Sequence, residues 1–497
     1  MSPAFSAFVA LALVCAPACS EDRYGEARII RTSRAGDLSA EAGTVAFEPG
    51  SRPGLPLLII DPGEEFQEIA GFGGSFTEAS AHVLGLLSDG RREEVLRAYF
   101  SPEGAWYTLT RTHMASCDFS LSNYTYAKTP HDTMLADFSI EEDRGDLIPL
   151  IRDAAAVEGA GFRVIASAWT APPWMKDNND WNGGALLPWY YDTWALYYCR
   201  YVEEYAAEGI PIWAVTTLNE PEGNNEQWES MIFTPEQIAR FVRENLGPRF
   251  EERGIGAEIF IYDQNRDHLE RWASAILGDP EAAAYVRGTA VHWYSSTYRW
   301  YPEALTRVHE AFPEKELLHT EGCIDSEVPV WREDDWYWRA EATDWGYYWA
   351  SEDKKHLHPK YVPVYRYARD IIGGLNSYLA GWIDWNIVLD TGGGPNHAEN
   401  WCIAPVIART ETDEVYYTPL YHVMRHFSRY IRPGAVRIGL ENGVEGLMAT
   451  ALRNPDGSIA VAVLNQDERG REFSIELDGA YAGISIPGSA LQTIIIE

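Results

Sequence analysis

Ile212-Trp213-Ala214-Val215-Thr216-Thr217-Leu218-Asn219-Glu220-Pro221-Glu222-Gly223 is an apolar, β-prone run that ends in a carboxylate. Pro211 bounds it on the other side. It reads as a buried strand whose C-terminal end carries Glu220, next to an amide and ahead of a proline. A glutamate at the mouth of a buried strand is costly unless it is solvated, paired or used. Taken alone, Asn219-Glu220-Pro221 is equally a turn where a strand meets a loop. A second strand end alters that balance. Lys315-Glu316-Leu317-Leu318-His319-Thr320-Glu321-Gly322 again runs from an apolar strand into a glutamate followed by a small residue. Two carboxylates on separate strand ends are what a retaining glycosidase needs, one as acid/base and one as nucleophile, roughly 5–5.5 Å apart.

Outward from these two stretches, extended runs alternate with helical ones. Strands are predicted at Gln67 to Phe76, Tyr107 to Met114, Phe162 to Trp169, Ile212 to Leu218, Glu258 to Tyr262, Gly288 to Tyr294, Glu316 to Glu321 and Leu379 to Trp385. Helical stretches follow each, among them Trp189 to Glu208, Pro302 to Ala311 and Pro419 to Tyr430. Thr234 precedes Pro235 as an N-cap before a proline at the first helical position. Eight β-then-α units predict an α/β fold, a (β/α)₈ TIM barrel over residues 61–431, with a doubly wound open sheet as the alternative. In a barrel the C-terminal strand ends form one rim, and Arg111, Trp169, Glu220, Tyr294, Glu321 and Trp385 fall there. Gly71, Gly73 and Gly74 mark a turn or a close backbone approach at the end of the first strand. Past Pro433 the pattern is strands only, with Asn454-Pro455-Asp456-Gly457 as a hairpin turn. Residues 432–497 therefore form a β-sandwich. The short strands of residues 24–60, punctuated by Asp61-Pro62-Gly63, lack partners of their own and complete it.

At 497 residues the chain exceeds one small core. It carries 40 Lys+Arg against 74 Asp+Glu, a formal charge of -34. Such a surface repels phosphates, which argues against nucleic acid and against unaided docking on anionic membranes. The 19 Trp and 28 Tyr suit both sugar stacking and a barrel core. Ala4 to Ala16 is apolar, and Ala16-Pro17-Ala18 fits a small-x-small cleavage site, so residues 1–18 read as a signal peptide and the chain as exported. Cys19 directly after that site is a candidate lipoprotein anchor. The run is too short to span a membrane, and no later segment is long enough. Cys117, Cys199, Cys323 and Cys402 are scattered without CxxC spacing and read as buried free thiols, Cys117 and Cys323 as packing residues. No metal-ligand spacing appears among the 12 His, and Gly71-Phe72-Gly73-Gly74 lacks the Lys-Ser/Thr of a phosphate loop.

Glu68-Ile69-Ala70-Gly71-Phe72-Gly73-Gly74-Ser75-Phe76-Thr77, Met114 to Ser120, and Ala168-Trp169-Thr170-Ala171-Pro172-Pro173-Trp174-Met175-Lys176 resemble the acid β-glucosylceramidase (glucocerebrosidase-like) group, glycoside hydrolase family 30. So do Asn219-Glu220-Pro221, His292-Trp293-Tyr294, Thr320-Glu321-Gly322-Cys323 and Gly381 to Asn386, in the same order along the chain. The resemblance implies a barrel with a side β-sandwich. It implies Glu220 as acid/base and Glu321 as nucleophile, with no cofactor and no metal. It implies that Asn219 bonds the sugar 2-hydroxyl, that Asp118, Trp169 and Trp385 hold the outer hydroxyls, and that Tyr294 sits against the nucleophile. Arg111 would set the nucleophile's electrostatics, and Asn400 would match a binding position. The expected activity is a retaining exo-β-glycosidase on terminal β-glucosides, glycolipid or oligosaccharide. Activity as β-1,6-glucanase or β-xylosidase is the alternative, and a carbohydrate-binding protein on an inactive barrel is the non-enzymatic one. Val328 to Lys360, rich in Trp331, Trp336, Trp338, Trp345 and Trp349, is longer than the family pattern leads one to expect. It is an insertion that could equally wall the pocket or decorate the surface.

Overall fold

The computed structural model describes residues 25–50, 54–343 and 350–497. The leader, Cys19, Trp345 and Trp349 lie outside the described residues. Eight parallel strands close into a barrel: β1 (Gly71–Phe76), β2 (Leu109–Met114), β3 (Arg163–Ala168), β4 (Ile212–Thr216), β5 (Glu258–Asn265), β6 (Val286–His292), β7 (Glu316–Glu321) and β8 (Leu379–Asp384). They pair in chain order, and β8 returns to β1. This excludes the open doubly wound sheet.

The barrel interior is layered, and the layering positions the chemistry. Leu109, Ile165, Ala214, Phe260, Ala290 and Leu318 form an apolar plug. Side chains alternate along a strand, so the residue two positions on points to the same face. Two residues past the plug come Arg111, Ser167, Thr216, His292 and Thr320, all buried. The plug thus seals the floor, and a polar layer sits directly above it. Two register shifts adjust the period. On β5, Ala290 pairs with Tyr262 but Val291 pairs with Gln264. Asp263 is the skipped residue, and Tyr262 and Asp263 have φ of 74° and 58°. This bulge puts Asp263 into the polar layer. On β7, Val291 pairs with His319 but His292 pairs with Glu321, which brings Glu321 level with His292.

Gly73 illustrates close approach: a Cβ there would lie 1.6 Å from the Leu109 carbonyl oxygen. The glycines lie within β1 rather than at its end, because the strand starts at Gly71. Thr234 caps its helix in a reciprocal box with Gln237, and Pro235 opens it.

The side domain is one continuous ten-stranded sheet folded around its own core. Glu26–Ser33 pairs antiparallel with Ala490–Ile496, so the N-terminal strand does join the C-terminal ones. Asp61-Pro62-Gly63 is not a break. Leu57–Glu68 runs through it as one strand, held against Val436–Asn442. Ala480–Ile486, a strand not predicted, pairs with all of Arg471–Leu477. Of the two readings of the insertion, its described residues favour surface decoration. Trp331 lies 5.9 Å from Tyr416 and Trp338 5.9 Å from Tyr365. Asp335 pairs with Arg34 of the N-terminal segment. Trp331 and Trp338 pack against these tyrosines, and neither they nor Trp336 line the cavity at the C-terminal mouth of the barrel.

Candidate active site

Arg111 organises the polar layer. Its Nη1 donates to Glu321 Oε2 at 2.5 Å, its Nη2 to Asn219 Oδ1 at 2.7 Å and Asp263 Oδ2 at 2.8 Å, and its Nε to Ser167 Oγ at 3.1 Å. A buried guanidinium is tolerable when its fork is filled by carboxylates in this way. The Trp169 and Trp385 rings stack 5.3 Å apart, and the guanidinium lies 4.9 Å and 5.5 Å from their centres. Both tryptophans therefore serve the site as cation–π partners as well as cavity wall.

Glu321 Oε1 accepts from the Tyr294 hydroxyl at 3.1 Å. Burial raises the Glu321 carboxyl's pKa; the His292 and Arg111 charges oppose the rise without cancelling it, and the Glu220 charge adds to it. Gly322 must be small, since a Cβ there would lie 2.8 Å from His319 Nε2 and 3.0 Å from the Trp293 ring. Glu220 sits just past β4 with φ of 48°, its amide donating to the Asp263 carbonyl at 2.9 Å. A non-glycine residue held in that region is strained, a trait that clusters at functional sites. His292 Nδ1 lies 3.1 Å from Glu220 Oε1 and its Nε2 3.0 Å from Asp263 Oδ1. Burial alone would lower the imidazole's pKa; the Glu321 and Asp263 charges outweigh it and hold His292 at about 9. As an imidazolium it donates from both nitrogens. Carboxylate oxygens of Glu220 and Glu321 and a His292 nitrogen all lie within 4.8 Å of one another.

These groups open into a cavity of about 810 Å³. Of the sequence-predicted residues, Glu220, Glu321, Asn219, Asp118, Trp169, Tyr294, Trp385 and Asn400 all line it, and Arg111 lies beneath. Asn400 Nδ2 donates to Asp118 Oδ2 at 2.9 Å, closing one side. Burial holds the Asp118 carboxyl well above its ordinary range. Toward solvent the wall is polar, with Asn224, Asn225, Gln227, Ser326 and Glu399 beside Trp228.

Asp263 and His292 join the polar layer beneath the two glutamates, and local reading gave neither a place there. His292 stood in a quoted motif without a role. Asp263 fell one residue beyond the predicted end of its strand. Lys176 was also passed over: its buried ammonium donates to Thr170 Oγ1, the Trp181 carbonyl and the Ser230 carbonyl at 2.8, 3.0 and 2.9 Å, tying two rim loops together.

A closed barrel with two glutamates converging in one cavity at its C-terminal rim is the architecture of a glycoside hydrolase. Residues 69–431 match the glycosyl hydrolase family 30 TIM-barrel domain and residues 434–494 the family 30 beta sandwich domain. The chain belongs to glycosyl hydrolase family 30 and is a glycoside hydrolase. It is 34% identical to the lysosomal acid glucosylceramidase of Mus musculus over 88% of this chain and 83% of that protein. Among solved structures it resembles SrfJ from Salmonella typhimurium, at 30% identity, TM-score 0.83, and coverage of 95% of this chain and 99% of that one. It also resembles the endo-beta1,6-glucanase BT3312, at 26% identity, TM-score 0.81, and the same two coverages. No helix among the described residues is long and apolar enough to cross a membrane.

Proposed function

We propose that the chain is a retaining exo-β-glycosidase that removes terminal β-glucosyl units. Glu321 attacks the anomeric carbon while Glu220 protonates the departing glycosidic oxygen. A glycosyl ester on Glu321 results. Glu220, now ionised, takes a proton from water, and that water releases the sugar with its original anomeric configuration. The observation that carries this reading is the approach of the two carboxylates to within 4.8 Å. So close an approach of one oxygen from each carboxylate supports the narrower separation of a nucleophile pair over the wider one that admits the water of an inverting pair. Arg111 and Tyr294 hold Glu321 toward the cavity. Asn219 gives its amide oxygen to Arg111, which turns the amide nitrogen into the donor for a sugar hydroxyl. Asp118 and Asn400 would receive the outer hydroxyls.

The polar outer wall favours a second reading of the aglycone. Asn224, Asn225 and Gln227 suit a leaving sugar better than a long acyl chain, as in β-1,6-linked glucan. Export, with cleavage near Ala18, belongs to the same proposal and is read by N-terminal sequencing of protein from the medium or periplasm.

Glu321→Gln should keep the fold and lose turnover of aryl β-glucosides by at least about a thousandfold. Glu220→Ala should recover part of its activity with azide on an activated leaving group, giving the β-glycosyl azide. Unchanged hydrolysis by the first variant, or an α-azide from the second, rejects the assignment. A panel of aryl β-glucosides, β-xylosides and β-fucosides with glucosylceramide and β-1,6-oligosaccharides separates the substrate readings. A clear preference for xylosides sinks the glucosidase reading.

A further inference from the structure

Two cysteines meet in the wall of the catalytic cavity. Cys323 follows Glu321 by two residues, at the end of β7. Cys402 comes from the long segment after β8. A two-rung antiparallel ladder, Ile324 with Ile403 and Asp325 with Cys402, sets the segments side by side. The two Sγ atoms lie 3.2 Å apart, closer than ordinary van der Waals contact. Both residues border the cavity though each is only 1% exposed, so a disulfide reagent that enters it lies against the wall they form. Cys199 is buried in the helical layer and Cys117 beside Ser120, with no such partner thiol described.

We propose that Cys323 and Cys402 form a closable dithiol, a covalent-modification site on the cavity wall that takes a small-molecule disulfide as oxidant and becomes the Cys323–Cys402 disulfide. One cysteine attacks a sulfur of the oxidant, forms a mixed disulfide and expels one thiolate. The second cysteine attacks that mixed disulfide, forms the internal S–S bond and expels the other thiolate. The protein loses two electrons and two protons, and the oxidant leaves as two thiols. Burial pushes the Cys323 thiol up to about 11, so the thiolate fraction is small and exchange is slow.

Closure reaches the nucleophile. The Tyr294 hydroxyl that donates to Glu321 Oε1 also lies 3.5 Å from Cys323 Sγ. Forming the bond requires the sulfurs to close by about 1 Å. That movement draws Cys323 from Tyr294 and pulls on the backbone two residues from Glu321. Misplacement of about 1 Å can cost up to about a hundredfold in rate, and about tenfold is expected here because the shift acts through Tyr294.

The test incubates the folded full-length protein with oxidised glutathione at mildly alkaline pH, alkylates remaining thiols and maps peptides. A Cys323–Cys402 linked peptide is expected, with a loss of about tenfold in kcat/KM that dithiothreitol restores. In Cys402→Ala and Cys323→Ala the second step has no attacking thiol, so treatment should give no linked peptide and at most a glutathione adduct on the remaining cysteine, read as a mass increase on its peptide. The proposal is overturned if no linked peptide forms in the folded protein, if it forms only after denaturant, or if it forms and activity does not change. The peptide map needs no substrate, so it stands apart from the glycosidase assignment.

Discussion

Asp263 accepts hydrogen bonds from Arg111, Ser167, Thr216, His292 and Thr320, and no part of it meets solvent. Burial would raise its pKa; the Arg111 and His292 charges prevail and hold the carboxyl well below its usual range. The catalytic candidates were legible because each ends an apolar run inside a family motif. Asp263 was not, because its inward aim comes from a bulge at Tyr262 and Asp263, which depends on register with β6 and leaves no local mark. Its importance gives a direct prediction. Asp263→Asn keeps the shape and removes the charge between Arg111 and His292. The variant should be destabilised by about 3–5 kcal/mol in urea unfolding, the usual cost of leaving a buried charge without its partner. The His292 imidazole should also titrate below about 9, as read by NMR. Native stability together with an unmoved His292 titration contradicts the account of the polar layer.

The barrel's loops were legible as positions but not as contacts. Alternating β and α stretches placed them after each strand, yet nothing local says which loops touch. Asn123 follows β2, Glu229 follows β4 and His397 follows β8, and the three meet beside Asp118. Asn123 Nδ2 donates to Glu229 Oε1 at 2.7 Å. His397 Nε2 lies 3.3 Å from Glu229 Oε2, and its Nδ1 3.0 Å from the Ser120 carbonyl oxygen. Burial lowers the His397 pKa, but the hydrogen bond and charge of Glu229 win and hold it at about 9. Because the folded value lies above the ordinary imidazole value of about 6.5, the tie is complete below that pH and is lost as pH rises through about 9. The apparent KM of the wild type should therefore rise across this window by up to about fivefold, the scale of a partly exposed ion pair. His397→Gln should show the raised KM already at the acid end and respond less across the same window. Parallel KM–pH curves for the two proteins contradict this role. The short sheet of Val388–Asp390, Val406–Arg409 and Glu414–Tyr417, which supports the far end of the same loop, was not predicted because its strands are too short to show a period.

At the scale of the molecule, the side domain was foreseeable because strands at both ends of the chain lacked nearby partners. How it grips the barrel was not. The last barrel helix, Pro419–Ser428, lies on the sheet, and His426 joins the two. Its Nδ1 is 2.8 Å from Thr493 Oγ1 and its Nε2 2.9 Å from Thr32 Oγ1, one strand from each end of the chain. A neutral imidazole gives one donor and one acceptor, and each hydroxyl can supply the complement. Burial, helped by the His422 and Arg425 charges, lowers His426 to about 3. The folded state therefore keeps it neutral while the unfolded chain protonates near about 6.5. Its contribution is whole above that pH and falls by about 1.4 kcal/mol per pH unit as the solution is acidified toward about 3. His426→Leu should cost about 1–3 kcal/mol at neutral pH through the two lost hydrogen bonds, with Thr493 Oγ1 still donating to the residue 426 carbonyl and Thr32 Oγ1 still accepting from the Ser39 amide. On acidification the wild type should lose about 2 kcal/mol of this advantage by about two units below neutral and become the less stable of the pair by about pH 4. Urea unfolding of both proteins at neutral pH and at about two units lower measures the difference directly. A gap that stays constant between the two conditions means that His426 is charged in the fold, and the two domains are then held together by something other than this neutral bridge.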